Sequence, residues 1–376
     1  MAADGQPKVL ILGGIGFIGR NLVQHIVSND LASFVRVADK VLPATAFLSD
    51  SHKKAFDDDR VEYKQSNLTS DASIKKAFTD AAKKGSFKEG DKFDIVINLA
   101  AETKYGQSDE VYKEKVLDLA TKVAKAAIAH KAGKFVEVST AQVYSSGSKA
   151  STEESKTKPW TSIASYKLKA EETLKGMSDL PLVIVRPAIV YGPADVQGIS
   201  PRVITGAVYK HLGEKMEFLW TKNLKINTVH VRDCCKALWT VATKAKNGSV
   251  YNIADKGNTD QGTVNQILGD IYGIKTGFLG TAKSKAAKLA GMKNICEYVN
   301  DKHLKPWSDL TKAAKIDNTP LTPYLDVELL KDNSLCVDGS KIENDLGFKY
   351  DHPQINKALI QETIDYFVDQ GLFPKL

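Results

Sequence analysis

Three glycines and one aspartate near the start of the chain have the residue types and the spacing that bind a dinucleotide. The glycines are Gly13, Gly16 and Gly19, and Asp39 follows the last of them by twenty residues. One glycine permits a tight turn, one lets the backbone approach a pyrophosphate, and one lets a helix pack closely against a sheet. The unpaired N–H groups and the dipole of that helix then face the phosphates.

The segments on either side of these glycines predict the strand and the helix that such a site needs. Residues 9–12 form an apolar run typical of a buried parallel strand, and residues 21–27 follow the pattern of an amphipathic helix. Phe17 and Ile18 lie inside the turn and belong to the predicted cofactor site. The alternative is an ordinary strand–helix turn that binds nothing.

A second apolar run, residues 34–38, ends at Asp39. A carboxylate at the end of the second strand accepts hydrogen bonds from ribose hydroxyls, and its charge repels the additional phosphate of NADP. We therefore predict that the cofactor is NAD, although Lys40 beside Asp39 weakens the preference. In the alternative interpretation, Asp39 is an ordinary surface residue.

The rest of the first half alternates strand-like and helix-like segments, which predicts an α/β protein with a Rossmann-type, doubly wound parallel sheet. The predicted strands are residues 61–65, 93–100, 135–139 and 182–186, and the predicted helices are 71–84 and 111–131. We assign 1–193 to the NAD-binding domain.

Beyond Pro193 the pattern changes, which predicts a smaller, discontinuous C-terminal substrate lobe over 194–376. Residues 228–231 and 250–254, within the range 228–256, are expected to return to the main sheet. Residues 300–324 are expected to be rich in loops, and 353–370 to form a closing helix.

Composition excludes several classes of protein. The chain has 376 residues, of which 43% are hydrophobic and 26% charged, and no apolar stretch approaches the ~20 residues of a membrane helix. The start lacks the apolar core of a signal peptide, so we expect a cytoplasmic protein. The net charge is +7, but only six of the 52 basic residues are arginines, which disfavours nucleic acid as a partner. The four cysteines lack metal-ligand spacing, so we expect buried, reduced thiols and no metal.

Seven motifs, in order along nearly the whole chain, resemble those of the extended short-chain dehydrogenases/reductases, the NAD-dependent epimerase/dehydratase group. These motifs lie at residues 13–19, 67–68, 99–101, 139–144, 186–193, 230–233 and 338–348. The resemblance implies the family's fold, NAD as cofactor and a small-molecule substrate, which in this family is often a nucleotide sugar. A homodimer is a further possibility.

The resemblance also implies roles for individual residues. Asn67 and Leu68 would hold adenine, and the segment Leu99, Ala100 and Ala101 would pass beneath the cofactor. Pro187 and Ala188 would lie along the nicotinamide. These residues complete the cofactor site that the glycines and Asp39 begin.

The family's chemistry uses a Ser or Thr hydroxyl and a Tyr-x-x-x-Lys pair, in which the lysine lowers the pKa of the tyrosine and holds the nicotinamide ribose. By resemblance, Thr140 supplies the hydroxyl and Lys167 the lysine, but Ile163 occupies the tyrosine position. Isoleucine cannot carry a proton. Tyr144 is our preferred replacement, and Tyr105 is a second candidate. The alternative is that each of them is an aromatic packing residue.

Two other departures bear on the substrate. Lys115 stands where the family usually has an active-site asparagine, and no arginine follows Arg232, although nucleotide-sugar enzymes of this group clamp the diphosphate with arginines from the second lobe. Three hypotheses remain open: an NAD-dependent oxidoreductase, epimerase or dehydratase with an atypical active site, a catalytically silent NAD-binding scaffold or regulatory subunit, and an RNA-binding relative.

Overall fold

A computed structural model of the chain describes residues 5–289 and 291–376. The expectation that there is no signal peptide concerns the first eight residues, of which 1–4 lie outside this range. The strands are β1 Lys8–Leu12, β2 Phe34–Asp39, β3 Val61–Gln65, β4 Ile95–Asn98, β5 Lys134–Val138, β6 Leu182–Pro187, β7 Ile189–Tyr191, β8 Met216–Phe218, β9 Thr228–His230, β10 Val250–Ile253 and β11 Thr276–Phe278.

Helices connect most of these strands. They are α1 Phe17–Ser28, α2 Asp50–Asp57, α3 Asp71–Thr79, α4 Asp109–Tyr112, α5 Leu119–Ala129, α6 Ser162–Lys175, α7 Ser200–Leu212, α8 Val231–Lys244, α9 Gln261–Tyr272, α10 Gly280–Leu289, α11 Met292–Ala313, α12 Lys341–Leu346 and α13 Lys357–Val368. A π-helical segment, Lys113–Asp118, joins α4 to α5, so the single predicted helix 111–131 is divided. A short 3₁₀ turn, Ala141–Val143, follows β5.

Seven strands form one parallel sheet in the order β10-β6-β5-β4-β1-β2-β3. The strand order reverses at β1, and in such sheets ligands bind at the carboxyl ends of the strands beside that point. This arrangement confirms the predicted doubly wound α/β fold.

Both faces of the sheet are covered because side chains alternate across each strand. In β1, Val9 and Ile11 belong to the buried cluster that includes α1 and α8, whereas Leu10 and Leu12 belong to the cluster that includes α3, α5 and α6. A strand that is buried on both faces must be apolar throughout, which explains the continuous run in the sequence.

A separate apolar cluster joins α7, α9, α11 and α13, with Val203, Leu268, Trp307 and Ile364 as members. Two small parallel sheets, β11-β8 and β7-β9, lie outside the main sheet. The domain boundaries given above stay a prediction.

One of the two segments expected to return to the main sheet does not do so. β10 pairs with β6, as predicted, but β9 pairs with β7. The segment that joins β6 to β7 changes its partner strand after Ala188. The Ala188 N–H donates to the carbonyl of Ile253 in β10, whereas the N–H of the next residue, Ile189, donates to the carbonyl of Asn227 beside β9. The predicted return of 228–231 is therefore wrong.

The expectation of a loop-rich segment over 300–324 is also wrong in its first half, where α11 continues to Ala313. Pro306 lies inside this helix and costs it one hydrogen bond. The helix persists because Asn300, His303, Trp307 and Leu310 recur at helical spacing and are buried. The predicted helix 71–84 likewise ends early, at Thr79.

Candidate cofactor and substrate site

The glycine turn between β1 and α1 has the close approaches that its residue types predict. A Cβ on Gly13, whose φ is +78°, would lie 2.7 Å from the backbone nitrogen of Ala100. A Cβ on Gly19 would lie 2.5 Å from the Cα of Gly14. Any side chain at either position would therefore push apart the turn, the end of β4 and the first turn of α1.

Helix α1 begins at Phe17 without a side-chain cap, because its N-cap residue is Gly16. The first N–H groups of a helix have no partner inside the helix. Here they belong to Phe17, Ile18 and Gly19, and no side chain of the described residues accepts a hydrogen bond from them. This end of α1 fits the phosphates of a dinucleotide.

Asp39 ends β2 beside the turn and is 9% exposed. One carboxylate oxygen accepts a hydrogen bond from the N–H of Ile15 and the other from the N–H of Val41, each at 3.0 Å. A carboxylate has about four acceptor sites, so two of them stay free for ribose hydroxyls. Asp39 therefore also fixes the conformation of the glycine turn, a role that the sequence did not predict.

The other predicted cofactor residues follow the carboxyl ends of neighbouring strands. Asn67 and Leu68 come after β3, Leu99, Ala100 and Ala101 after β4, and Pro187 and Ala188 stand at the end of β6. Asn67 is exposed, and its amide oxygen accepts hydrogen bonds from the N–H and hydroxyl of Thr69. The sheet thus places all seven residues along the edge where the glycine turn lies.

A cavity of about 300 Å³ contains the predicted catalytic centre. Thr140, Lys167 and Ala188 line it, and so does Ile163. Tyr144 is not among its lining residues. The structure therefore brings together the predicted hydroxyl and lysine but not the preferred tyrosine.

Ser139 is a site residue that the sequence analysis passed over in favour of its neighbour. Its hydroxyl is buried on the cavity wall and has no hydrogen-bond partner among the described residues. The neighbouring Thr140 hydroxyl accepts a hydrogen bond from the Gln142 N–H at 3.2 Å. A buried hydroxyl without a partner is costly, so Ser139 fits a site that a cofactor or substrate completes.

Lys167 is held by a buried carboxylate. Its Nζ donates to Glu137 Oε1 at 3.2 Å and to the Val138 carbonyl at 2.7 Å, while Asn98 Nδ2 donates to Glu137 Oε2 at 2.6 Å. Burial raises the pKa of the Glu137 carboxyl, and the Lys167 and Asn98 side chains oppose that shift. The sequence analysis did not identify Glu137 as a site residue. Its charge within the otherwise apolar run of β5 was the feature that could have indicated it.

Tyr144 has a structural role instead. It is 2% exposed, its hydroxyl donates to Asn252 Oδ1 at 2.7 Å, and it accepts a hydrogen bond from the Arg186 guanidinium at 2.7 Å. Arg186 is itself paired with Glu171. Because both hydrogen-bonding roles of the Tyr144 hydroxyl are occupied away from the cavity, we withdraw Tyr144 as the proton carrier.

Tyr105 lies on the cavity wall, and its hydroxyl accepts a hydrogen bond from Gln142 Nε2 at 3.1 Å. Burial raises its pKa above the usual value. The Gln142 amide oxygen accepts in turn from the hydroxyl of Thr161, the N-cap of α6. This network ties the loop after β4 to the helix that carries Lys167.

The four cysteines are buried and free, as predicted. Among residues 5–289 and 291–376, no group of three or more His, Cys, Asp or Glu side chains is placed to hold a metal ion. Within the same part of the chain, no helix combines the length and apolarity needed to cross a membrane.

Comparison with known proteins identifies the family. Residues 9–254 match the model of the NAD dependent epimerase/dehydratase family, which is more than half of the chain. The protein therefore belongs to this family, and the resemblance noted in the sequence is confirmed.

Two curated relatives are dTDP-glucose 4,6-dehydratases. This chain is 25% identical to the dTDP-D-glucose 4,6-dehydratase of Dictyostelium discoideum, and the match covers 65% of this chain and 58% of the relative. It is 24% identical to that of Neisseria meningitidis serogroup B (strain ATCC BAA-335 / MC58), over 96% of this chain and 93% of the relative.

Two solved structures have a similar fold. UDP-glucuronic acid 4-epimerase from Bacillus cereus, in complex with UDP-glucuronic acid and NAD, gives a TM-score of 0.69 at 19% identity, over 96% of this chain and 99% of that one. The dTDP-glucose 4,6-dehydratase DesIV from Streptomyces venezuelae, with NAD and TYD bound, gives a TM-score of 0.67 at 19% identity, over 96% of this chain and 97% of that one.

Proposed function

We propose that this protein binds NAD and acts as an oxidoreductase, epimerase or dehydratase on a sugar nucleotide or another small hydroxylated metabolite. One observation carries the proposal: Ser139, Thr140 and Lys167 line a single cavity at the carboxyl edge of the sheet that carries the glycine turn. The bound nucleotide sugar of the Bacillus cereus epimerase supports this substrate class.

The chain's residues have separate tasks in this proposal. Bound NAD would supply the hydride acceptor for oxidation of the substrate carbon. The free amides of α1 would hold the pyrophosphate, and the Asp39 carboxylate would hold the adenosine ribose. Lys167 holds the nicotinamide ribose, and the hydroxyls of Ser139 and Thr140 orient the substrate oxygen.

The proton that leaves the substrate hydroxyl needs an acceptor, and Ile163 cannot supply one. We assign this task to Tyr105, which lies on the same wall and is held by Gln142. Burial raises the pKa of Tyr105, which opposes uptake of that proton and favours the reverse, reducing direction, in which the phenol donates its proton to the substrate oxygen.

A second candidate function is an NAD-holding protein without turnover. Two observations favour it: Ile163 lines the cavity, and the Lys167 ammonium is already balanced by Glu137. A lysine held in this way does less to lower the pKa of a nearby phenol.

One experiment separates the two candidates. The purified full-length chain is denatured, the released nucleotide is identified, and the intact protein is assayed for NADH formation or epimerisation with a panel of nucleotide sugars and small alcohols. Bound NAD with turnover supports the enzyme, and bound NAD without turnover supports the silent protein. Failure to bind NAD contradicts both.

A further inference from the structure

The part of the cavity wall that follows α7 is apolar. The segment 218–226 contributes Phe218, Leu219, Trp220, Leu224 and Ile226, and the segment 325–335 contributes four leucines. Trp160 and Ile163 add further apolar surface. A ligand in this cavity must place hydrocarbon against most of these side chains to gain from their burial.

Several polar groups on the same wall are bonded within the protein. Gln261 Nε2 donates to the carbonyls of Leu219 and Thr221 at 3.0 and 3.3 Å. Gln142 uses both ends of its amide on Tyr105 and Thr161, and Lys167 is bonded to Glu137. The side-chain amides of Gln197 and Asn333 are the exceptions, with no hydrogen bond among the described residues. A ligand with many hydroxyls would therefore find partners for only a few of them, which is unfavourable.

Arg202 is different. It is half-buried on the cavity wall, and no atom of the described residues accepts a hydrogen bond from its guanidinium. A guanidinium carries five donors and is always charged, so this group offers a matched site for one carboxylate. Three cationic side chains line this cavity: Lys167, Arg202 and Lys331. Lys331 is partly exposed and, like Arg202, has no ion pair among the described residues.

We propose that the natural ligand of this cavity is a hydrocarbon-rich alcohol or ketone that carries one anionic group, rather than a nucleotide sugar. This inference rests on the proposed function and specifies the substrate class of the same site. The apolar wall takes the hydrocarbon body, Arg202 the anion, and Ser139 and Thr140 the hydroxyl or carbonyl oxygen. A cavity of about 300 Å³ stands at the lower limit of small-molecule sites and suits such a ligand.

The test uses the NAD-loaded full-length protein and four probes. Phenyllactate has an aromatic body, a hydroxyl and one carboxylate, phenyllactamide lacks the charge, lactate lacks the aromatic body, and UDP-glucose represents the nucleotide sugars. Binding is followed by the fluorescence of Trp160 and Trp220, which line the cavity, and by calorimetry. Each titration is repeated without NAD.

We expect phenyllactate to bind at one site and to bind more tightly than the other three probes. The amide should bind roughly 10- to 100-fold more weakly, because it loses a charge-assisted interaction. Arg202→Gln should weaken phenyllactate by the same factor and should remove the preference over the amide. Arg202→Lys should keep part of that preference, and Arg232→Gln, which removes an arginine paired with Glu362 outside the cavity, should change nothing.

Tighter binding of UDP-glucose would overturn the inference while leaving the proposed function in place. Equal binding of lactate and phenyllactate, or no binding of any probe to NAD-loaded protein, would overturn it as well. Phenyllactate binding in a protein that does not bind NAD would support the ligand class and contradict the proposed function.

Discussion

The Nζ atom of Lys167 lies 3.2 Å from Oε1 of Glu137, and both side chains are buried. The carboxylate has a second partner in Asn98. A buried charge needs such partners, because its desolvation is otherwise uncompensated. Glu137 is therefore a positioning residue for Lys167.

Removal of the Glu137 charge should destabilise the protein strongly. In Glu137→Gln the Lys167 ammonium stays buried without a counter-charge, and breaking a buried pair in this way costs about 3–5 kcal/mol. Urea unfolding measures the loss. Glu172→Gln, an exposed change on the same helix as Lys167, is the matched control and should cost little. A small loss in Glu137→Gln would mean that the Lys167 ammonium finds another partner.

Asp39 should decide between the two nicotinamide cofactors. Asp39→Ser removes the charge that repels the additional phosphate of NADP, so the ratio of NAD to NADP affinity should fall by about tenfold or more. Calorimetric titration with each cofactor measures the ratio. Asp39→Asn keeps an acceptor for the backbone N–H groups of the turn and separates the effect of charge from that of local structure. Equal affinity for both cofactors in the unaltered protein would remove the role assigned to Asp39.

Ile163→Tyr should restore a proton carrier at the cavity wall. We expect NAD affinity to change little and any redox turnover to rise, within the limit of about 10²–10⁴-fold that general acid–base catalysis supplies. Ile163→Phe adds the ring without the hydroxyl and is the control. If the two variants behave alike, the change in cavity shape rather than the phenol explains the result.

Tyr105 and Tyr144 should respond differently to loss of their hydroxyls. Tyr105→Phe should lower kcat by about 10²–10⁴-fold and leave NAD affinity unchanged. Tyr144→Phe leaves buried groups of Arg186 and Asn252 without a partner and should cost about 1–3 kcal/mol of stability. Turnover and urea unfolding of both variants give the comparison. Turnover that survives Tyr105→Phe would exclude Tyr105 as the carrier.

His303 should make stability depend on pH. Burial lowers its pKa to about 4 in the folded protein, whereas an unfolded histidine titrates near about 6.5. Between these values the unfolded chain binds more protons, so stability rises with pH and is lost as pH falls from about 6.5 to 4, by roughly 3 kcal/mol. His303→Gln should flatten this slope by one proton in urea unfolding at several pH values. His211→Gln, an exposed change on α7, is the control.

The sequence by itself determined the parts of this protein that depend on local pattern. The spacing of the glycines, the apolar run of β1 and the place of Asp39 at the end of the second run are local features of the sequence, so the strand, the turn and the helix could be predicted. The contacts of Gly13 with Ala100 and of Asp39 with Ile15 join residues that are distant in sequence, and these were not predicted. The order of the motifs also sufficed to assign the family. Thr140 and Lys167, which both stand in such motifs, line one cavity, and their roles stay a prediction.

The tertiary structure alone decided the pairings between distant residues. Pro306 breaks the local pattern of α11, yet packing of its buried face keeps the helix intact. Phe87 lies in a polar loop but is 2% exposed, because the buried Arg36 guanidinium packs over its ring at 4.6 Å. Only the structure shows that Tyr105 lines the cavity and that Tyr144 is buried away from it, because the direction of a side chain depends on which neighbours the folded chain brings to it. No local pattern contains that information, because burial and hydrogen bonding are properties of the assembled core.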